Sequence, residues 1–284
     1  MKRTKKPTKA ADKPLRSFSG RLVLLGAGKM GSAMLAGWLA RGLDPRKLTV
    51  LEPQPANSVK ALKRRGVALN PKVKPAPANA VVIAVKPQSA PEAIAALAPF
   101  VGEATLALSI MAGRPLRFLE QALPGGTAIV RSMPNTPAAI GRGITVACPN
   151  GKVTPRQRKL ASDLLAAIGT VEWVSDESLM DAVTAVSGSG PAYVFLLAEA
   201  LAQAGAAAGL PQNLAMKLAR ETVAGSGELL NQSPLDAATL RQNVTSPGGT
   251  TAAALELLMG QRGLAQLMEQ AVSAATARSR ELAG

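Results

Sequence analysis

Residues 22–31 read LVLLGAGKMG, an apolar run followed at once by the spacing Gly-x-Gly-x-x-Gly. The apolar run predicts a buried strand, and the residues after it predict a helix that ends at Gly42. In such a strand–turn–helix unit, Gly26 permits the tight turn, Gly28 leaves room for a pyrophosphate, and Gly31 lets helix and strand pack closely. The N-terminus of the helix adds a partial positive charge toward the phosphates. The segment therefore predicts a dinucleotide-binding loop made of Gly26, Ala27, Gly28, Lys29, Met30 and Gly31.

Short apolar runs alternate with amphipathic segments from residue 20 to about residue 175. This alternation is typical of parallel strands joined by right-handed helical crossovers, so we expect an α/β fold with a Rossmann-type doubly wound sheet. Asn57 is the predicted N-cap of the second helix. The predicted strands are 22–25, 48–52, 81–85, 104–110 and 127–131, with 143–147 and 171–174 as extensions, and the predicted helices are 29–41, 57–66, 91–98, 115–123 and 156–168.

Strand signals stop after residue 175, and the remaining segments have helical patterns interrupted by Gly- and Pro-rich breaks. We predict helices at 178–187, 192–208, 213–230 and 251–282. The predicted domains are a disordered basic tail at 1–18, a dinucleotide-binding Rossmann domain at 19–175 and an all-helical C-terminal domain at 176–284. Because these Ala-rich helices have several apolar faces, we expect the helical domain to bury part of its surface against a second copy of the chain.

The net charge of +15 is partly local, since residues 1–18 carry seven cations and one acid. The tail has few apolar residues and no hydrophobic core segment, so we expect no secretory signal. A basic body suits a protein that handles anionic ligands, because long-range fields steer anions toward it. With aromatics at 2%, little surface is left for stacking on nucleic acid, and we do not expect a nucleic-acid partner.

The segment 192–210 is long and apolar enough to suggest a membrane span. Glu199 and Gln203 lie in its middle, and an acidic residue there costs about 2.5–3.5 kcal/mol on insertion. We therefore expect no membrane span but a buried helix in a soluble, oligomeric core. The protein is expected to be cytoplasmic with a reduced thiol.

The chain contains no His and one cysteine, Cys148. These counts exclude a zinc site of Cys and His, and they exclude Ser-His-Asp or Cys-His catalysts. We assign no metal.

Glu52 lies at the end of the second predicted strand, where an acidic residue can accept hydrogen bonds from ribose hydroxyls. A carboxylate there would repel a 2′-phosphate, and no Arg follows it closely. The residue therefore favours NADH over NADPH, with Lys60, Lys63 or Arg64 as cations that can still reach a 2′-phosphate.

Three later segments are rich in Gly, Pro and hydroxyl residues. RSMPNTP at 131–137 follows the fifth strand, so Asn135 and Thr136 are expected to face the reactive end of the cofactor, with a plain turn as the alternative. SGSGPAY at 187–193 separates two apolar helices, with a packing kink as the alternative. TSPGGTT at 245–251 precedes a helix and suits a bound carboxylate, with a simple helix cap as the alternative.

Taken together these segments resemble the pyrroline-5-carboxylate reductase family, from about residue 20 to the end. The resemblance is carried by GAGKMG at 26–31, AVKPQ at 84–88, MPNTP at 133–137, DAVTAVSGSGPAYVF at 181–195 and NVTSPGGTT at 243–251. It implies reduction of 1-pyrroline-5-carboxylate to L-proline by hydride transfer from NAD(P)H, the last step of proline biosynthesis. It also implies a homodimer formed through the helical domain and a decamer of five dimers.

The resemblance further implies roles for individual positions. Glu52 would reach the adenosine ribose, and Asn243 would contact the cofactor near the substrate. The cofactor would be lined along the strand ends by Ala84, Val85, Lys86, Pro87, Ile110, Met111 and Ala112. The substrate would be surrounded by Glu177, Ser246, Gly248, Gly249, Thr250 and Thr251.

Two departures from the family pattern matter. Family members often carry a polar or basic residue near position 52 and often use NADPH, so Glu52 bears on the cofactor preference. The segment 231–239 aligns loosely, and nothing is assigned in it. For catalysis we hypothesise that the 248–251 N–H groups and Thr251 hold the substrate carboxylate. Thr250, Thr251 or a bound water would then lie near the ring nitrogen.

Two other functions fit parts of the sequence. Another two-domain NAD(P)-dependent imine or hydroxy-acid dehydrogenase would use a lysine in the helical domain as proton donor, and Lys217 is the only lysine after residue 159. The second is a non-catalytic dinucleotide sensor or a nucleic-acid binder that works through the basic tail.

Overall fold

The computed structural model describes residues 13–72 and 75–283. The chain divides into two compact units. The first unit contains the described residues up to Gly188 together with the C-terminal residues from Ser279 onward. The second unit is Ser189–Arg278. The predicted domain boundary after residue 175 thus precedes the division between the units.

The first unit, called here the nucleotide unit, is built on one sheet of eight described strands. Their order is β3-β2-β1-β4-β5-β6-β7-β8. Pairing is parallel from β3 to β6, antiparallel between β6 and β7, and parallel between β7 and β8. The strands are β1 Leu22–Leu25, β2 Leu48–Leu51, β3 Ala68–Leu69, β4 Ala80–Ile83, β5 Leu106–Ser109, β6 Ala128–Met133, β7 Gly143–Pro149 and β8 Gly169–Trp173.

The order 3-2-1-4-5-6 is that of a Rossmann-type sheet, so the predicted fold class is confirmed. The sequence did not predict β3, because two residues are too short for an apolar run to stand out. The direction of β7 was also left open. Its connection from β6 is the 3-10 turn Thr136–Ile140, too short for the crossover that a parallel neighbour needs.

Helices cover both faces of this sheet, so all four residues of β1 are buried. Leu22 and Leu24 belong to the core on one face, and Val23 and Leu25 to the core on the other. Trp38 is fully buried in the first of these cores, and its indole N–H donates to the Leu164 carbonyl oxygen at 2.9 Å. The helices are α1 Lys29–Ala40, α2 Asn57–Ala61, α3 Ala90–Ala95, α4 Leu116–Ala122, α5 Pro155–Leu165 and α6 Met180–Val183.

Two local predictions are wrong. Asn57 is the first residue of α2, and Ala56 occupies the N-cap position without a capping side chain. The end of the basic tail is ordered, because Pro14–Ser17 form a 3-10 helix and Leu15 is buried in the core. The rest of the predicted tail, residues 1–12, lies outside the described residues.

The second unit, called here the helical unit, holds α7 Gly190–Ala207, α8 Gln212–Gln232, α9 Ala237–Asn243, α10 Thr250–Leu258 and most of α11 Leu264–Ala283. The unassigned segment 231–239 thus contains the start of α9. The single helix predicted over 251–282 is two helices, separated near Gly260 and Gly263. Within the described part of this unit, the buried apolar residues are Ala202, Ala215 and Ala219.

The stretch Glu177–Ala207 is long and apolar enough to cross a membrane by length and composition alone, and only 11% of its most apolar window is buried. The expectation of a buried helix is therefore not met within one chain. The reason is that α7 packs closely on α8 along a single face, and Ala202 is its one buried residue.

Candidate active site

A cavity of about 620 Å³ opens at the carboxyl ends of β1, β2 and β4 in the nucleotide unit. The sheet order reverses at β1, because the chain proceeds to β2 on one side and to β4 on the other. Ligands of open α/β sheets bind at such a switch point. The cavity, called here the cleft, is lined by Leu25, Gly26, Gly28, Leu51, Glu52, Pro53, Gln54, Asn70, Ala84, Val85, Lys86, Ser89, Glu92, Ala93 and Ala96.

The glycine loop has the geometry that its spacing predicts. Gly26 has φ +88°, and a Cβ there would lie 2.7 Å from the Ala84 carbonyl oxygen. A Cβ on Gly31 would overlap the Gly26 carbonyl. At Gly28, the N-cap of α1, an added Cβ would meet nothing within 4 Å. The loop therefore offers an open, side-chain-free surface at a helix N-terminus, which fits a pyrophosphate.

Glu52 bridges this loop and the end of β2. One carboxylate oxygen accepts from the Ala27 N–H at 2.8 Å, and the other accepts from the Gln54 N–H at 3.0 Å. The Asn70 side chain accepts from the Glu52 N–H at 2.9 Å and donates to the Glu52 carbonyl oxygen at 2.8 Å. The structure thus places Glu52 beside the glycine loop, where the predicted role toward a ribose requires it.

Asn70 is a lining residue that the sequence analysis missed. Its φ is +45°, in the left-handed region that Asn tolerates better than most residues. An Asn directly after the short apolar run 67–69 was the available signal.

The segments after β4 and β5 lie side by side at the same edge of the sheet. Ala84, Val85 and Lys86 line the cleft. The Met111 side chain is 2% exposed and belongs to the core. Side-chain contact between Met111 and a cofactor is therefore not supported, and Ala112 is the exposed residue of that segment.

Asn135 is engaged locally. Its side-chain oxygen accepts from the Ile144 N–H at 2.9 Å and so fixes the turn between β6 and β7. In the structure the Asn135 side chain thus stabilises a turn of the fold, whereas the sequence predicted that it binds the cofactor.

Glu177 lies in the nucleotide unit, at the start of the 3-10 turn before α6. One of its carboxylate oxygens accepts from Arg131 Nη1 and from the Leu116 N–H, both at 2.7 Å. The neighbouring Asp176 accepts hydrogen bonds from Ser178, which lower the pKa of the Asp176 carboxyl.

The remaining predicted residues belong to the helical unit. Asn243 is the last residue of α9, and Asp236 is the N-cap that precedes this helix. The Asp236 carboxylate accepts from the Thr239 N–H at 2.8 Å, and this bond lowers its pKa.

The turn from Ser246 to Gly249 leads into α10. The Gly249 N–H donates to the Ser246 carbonyl oxygen at 3.0 Å, and Gly248 has φ +70°. Gly249 is the N-cap and carries no capping side chain. The first N–H groups of a helix have no partner within it. Together with the Thr250 and Thr251 hydroxyls, they form a surface suited to a small carboxylate.

The thiol of Cys148 does not fit a catalytic role here. Cys148 is buried opposite Arg131 in the β6–β7 pair, and burial raises the pKa of its thiol. Among the residues that the structure describes, no three or more acidic or cysteine side chains form a group that could hold a metal ion.

The fold and the cleft define the class of protein, a two-domain oxidoreductase that uses a nicotinamide dinucleotide. A family model described as "NADP oxidoreductase coenzyme F420-dependent" matches residues 21–113, and one described as "Pyrroline-5-carboxylate reductase dimerisation" matches residues 177–282.

Curated relatives extend the match to nearly the whole chain. The pyrroline-5-carboxylate reductase of Pseudomonas aeruginosa is 38% identical, over 93% of this chain and 97% of its own. That of Synechocystis is 41% identical, over 93% of this chain and 99% of its own. The chain belongs to the pyrroline-5-carboxylate reductase family.

Solved structures of the same family also superpose on this chain. A pyrroline-5-carboxylate reductase from Coxiella burnetii superposes with a TM-score of 0.86 at 33% identity, covering 94% of this chain and 99% of its own. The Plasmodium falciparum pyrroline carboxylate reductase with NADP bound gives a TM-score of 0.77 at 30% identity, with the same coverage.

Proposed function

We propose that this protein reduces 1-pyrroline-5-carboxylate to L-proline with a reduced nicotinamide dinucleotide. The observation that carries the proposal is the glycine-loop cleft, in a chain that matches pyrroline-5-carboxylate reductases along 93% of its length. The protein acts in proline biosynthesis.

The nucleotide unit holds the cofactor. The glycine loop receives the pyrophosphate on backbone N–H groups, and Glu52 accepts from the adenosine ribose. Residues 84–87 and the backbone of 110–112 line the nicotinamide half. When bound, the cofactor supplies the hydride.

The helical unit holds the substrate. The N–H groups at 248–251 and the Thr251 hydroxyl bind the carboxylate, and the dipole of α10 favours that anion. Ser246 and Gly249 shape the turn that receives it.

The reaction suits a chain without His or metal. A protonated imine is already electrophilic, and hydride addition at its C=N carbon gives the secondary amine directly. The residues are therefore required chiefly to align the reactants, and alignment can supply about 7–11 kcal/mol of barrier reduction. Thr250, Thr251 or a water that they hold contacts the ring nitrogen.

NADH is the proposed preferred cofactor. The Glu52 carboxylate stands at the ribose end of the cleft, and among the described residues that line it, Lys86 is the one cation. Lys60, Lys63 and Arg64 are absent from that lining. A 2′-phosphate would therefore meet the negative charge of Glu52 there, and Lys86, the one cation among the described lining residues, belongs to the segment proposed for the nicotinamide half.

The proposed assembly is a homodimer formed through the helical unit, with a decamer of five dimers as its larger form. The large apolar side chains exposed on α7 and α10 support it. The proposed location is the cytoplasm, and the basic tail is proposed to have no catalytic role.

A spectrophotometric assay tests the function. Purified protein is mixed with the cyclic imine and with NADH or NADPH in turn, and cofactor oxidation is followed. We expect imine-dependent oxidation, with kcat/KM for NADH at least tenfold above that for NADPH. No oxidation with either cofactor rejects the reductase function, whereas a higher value for NADPH rejects only the assigned preference.

A Glu52→Gln variant serves as the matched comparison in that assay. It keeps an acceptor for the Ala27 N–H and removes the charge, so the NADH-to-NADPH ratio is expected to fall. An unchanged ratio contradicts the role given to the carboxylate.

A further inference from the structure

Four segments of the nucleotide unit are tied together by polar contacts outside the cleft lining. They are the segment after β4, the segment between β5 and α4, β6 itself, and the turn before α6. The contacts involve Arg131, Glu177 and Arg114, called here the polar bracket.

The bracket begins in the interior of the nucleotide unit. The Arg131 side chain is 6% exposed, and its Nη1 donates to a Glu177 oxygen at 2.7 Å. The Glu177 side chain is 29% exposed, so the Arg131 guanidinium is the buried member of the pair, and without Glu177 it would be left as a buried charge without its partner, which is destabilising. Arg131 therefore fixes Glu177, which lies 46 residues further along the chain, at one position.

The same Glu177 oxygen accepts from the Leu116 N–H at 2.7 Å. Leu116 is the first residue of α4, so this bond fixes the end of the segment that leaves β5. That segment contains Ile110, Met111 and Ala112.

Arg114 extends the contacts to the next segment. Its Nη2 donates to the Pro87 carbonyl oxygen at 3.2 Å, and its guanidinium lies 4.8 Å from the centre of the Phe118 ring. Its Nε is buried without a hydrogen-bond partner among the described atoms. Burying an unpaired donor is unfavourable, so the contacts with Pro87 and Phe118 hold this side chain in place against that cost.

We propose that Glu177 is a positioning residue for the cofactor and not a ligand of the substrate. Glu177 holds Leu116 and so the 110–114 segment, and Arg114 of that segment holds the 84–87 segment at Pro87. Ala84, Val85 and Lys86 line the cleft, and the 110–112 backbone beside them is proposed to face the nicotinamide. The inference rests on the proposed function only in that these segments receive a nicotinamide.

Cofactor binding without the imine provides the test. Wild type, Glu177→Ala and Glu177→Gln are titrated with NADH by isothermal calorimetry, and the melting temperature of each cofactor-free protein is measured. We expect Kd to rise at least tenfold in Glu177→Ala. In Glu177→Gln, which keeps an acceptor for Leu116 and Arg131, we expect a rise of about threefold.

Steady-state kinetics separate the two roles of Glu177. If Glu177 is a positioning residue, Glu177→Ala should have a raised KM for NADH and a KM for the imine within threefold of wild type. A raised KM for the imine with unchanged Kd for NADH overturns the proposal and supports a substrate ligand. Unchanged Kd in Glu177→Ala also overturns it.

Two further variants keep the test decisive. Asp163→Ala removes an exposed ion pair with Lys159 on α5, away from the cleft, and should leave Kd within twofold. Arg114→Met removes the contact with Pro87 without touching the buried ion pair, so it serves if Glu177→Ala does not fold. We expect it to raise Kd three- to tenfold, and an unchanged value rejects the bracket. Because no imine is present, failure of the reductase function leaves these titrations interpretable.

Discussion

The nucleotide unit and the helical unit bury their apolar side chains to very different degrees. In the nucleotide unit Leu24, Trp38 and Ile83 are fully buried. In the helical unit Phe195 is 62% exposed and Leu257 is 79% exposed. Burying one such side chain is worth about 1.5–3 kcal/mol. The difference indicates that a single chain completes the core of the nucleotide unit, whereas the helical unit needs a second copy to cover its apolar helices.

The largest effect is expected when a charge is placed on the exposed face of α7, because this tests directly whether a second copy covers that face. We expect Phe195→Asp to be monomeric in sedimentation and to lose more than a thousandfold in activity, because a carboxylate cannot be buried against a second copy. Its Kd for NADH should stay within threefold of wild type. Phe195→Leu is the matched control and should remain dimeric and active. A dimeric Phe195→Asp would show that a second copy does not cover this face.

The converse test disables the cofactor half alone. A valine at Gly28 meets no atom of the protein within 4 Å of its Cβ, yet it stands where the pyrophosphate approaches. Gly28→Val should therefore raise Kd for NADH at least a hundredfold, with an unchanged melting temperature and an intact dimer. Gly125→Val, whose Cβ is equally unobstructed and which does not line the cleft, should bind NADH normally. If Gly28→Val binds NADH as tightly as wild type, the glycine loop is not part of the cofactor site.

A smaller effect is expected in the substrate half. Thr251→Ala should lower kcat/KM for the imine about tenfold, the size of one hydrogen bond to a charged group. Calorimetry should give unchanged Kd for NADH, because the residue belongs to the helical unit. Thr251→Ser keeps the hydroxyl and should recover most of the activity. A loss below threefold in Thr251→Ala excludes this residue from the site.

The smallest effect is expected at Lys217, an exposed residue of α8. Under the proposed mechanism Lys217→Ala keeps kcat/KM within twofold of wild type. A dehydrogenase with a lysine proton donor in this unit would lose more than a hundredfold, and the same assay distinguishes the two.

Local spacing explains what could be predicted. The glycine loop, Glu52 at the end of β2, and the change from strands to helices all follow from patterns within a few residues. The contacts of Asn70, Arg114 and the Arg131–Glu177 pair were not predicted, because they join residues far apart in sequence. Leu15 was placed in a disordered tail because composition gave no sign of the core position that its side chain occupies.

The amino-acid sequence alone determined the dinucleotide loop, the Rossmann-type class of fold and the family, because each depends on residue types at fixed short spacings. Only the tertiary structure showed that β7 pairs antiparallel with β6, that Met111 is buried, and which residues Glu177 contacts. It also showed that α7 stays exposed within one chain. These features depend on which distant segments meet, and side-chain periodicity carries no information about that.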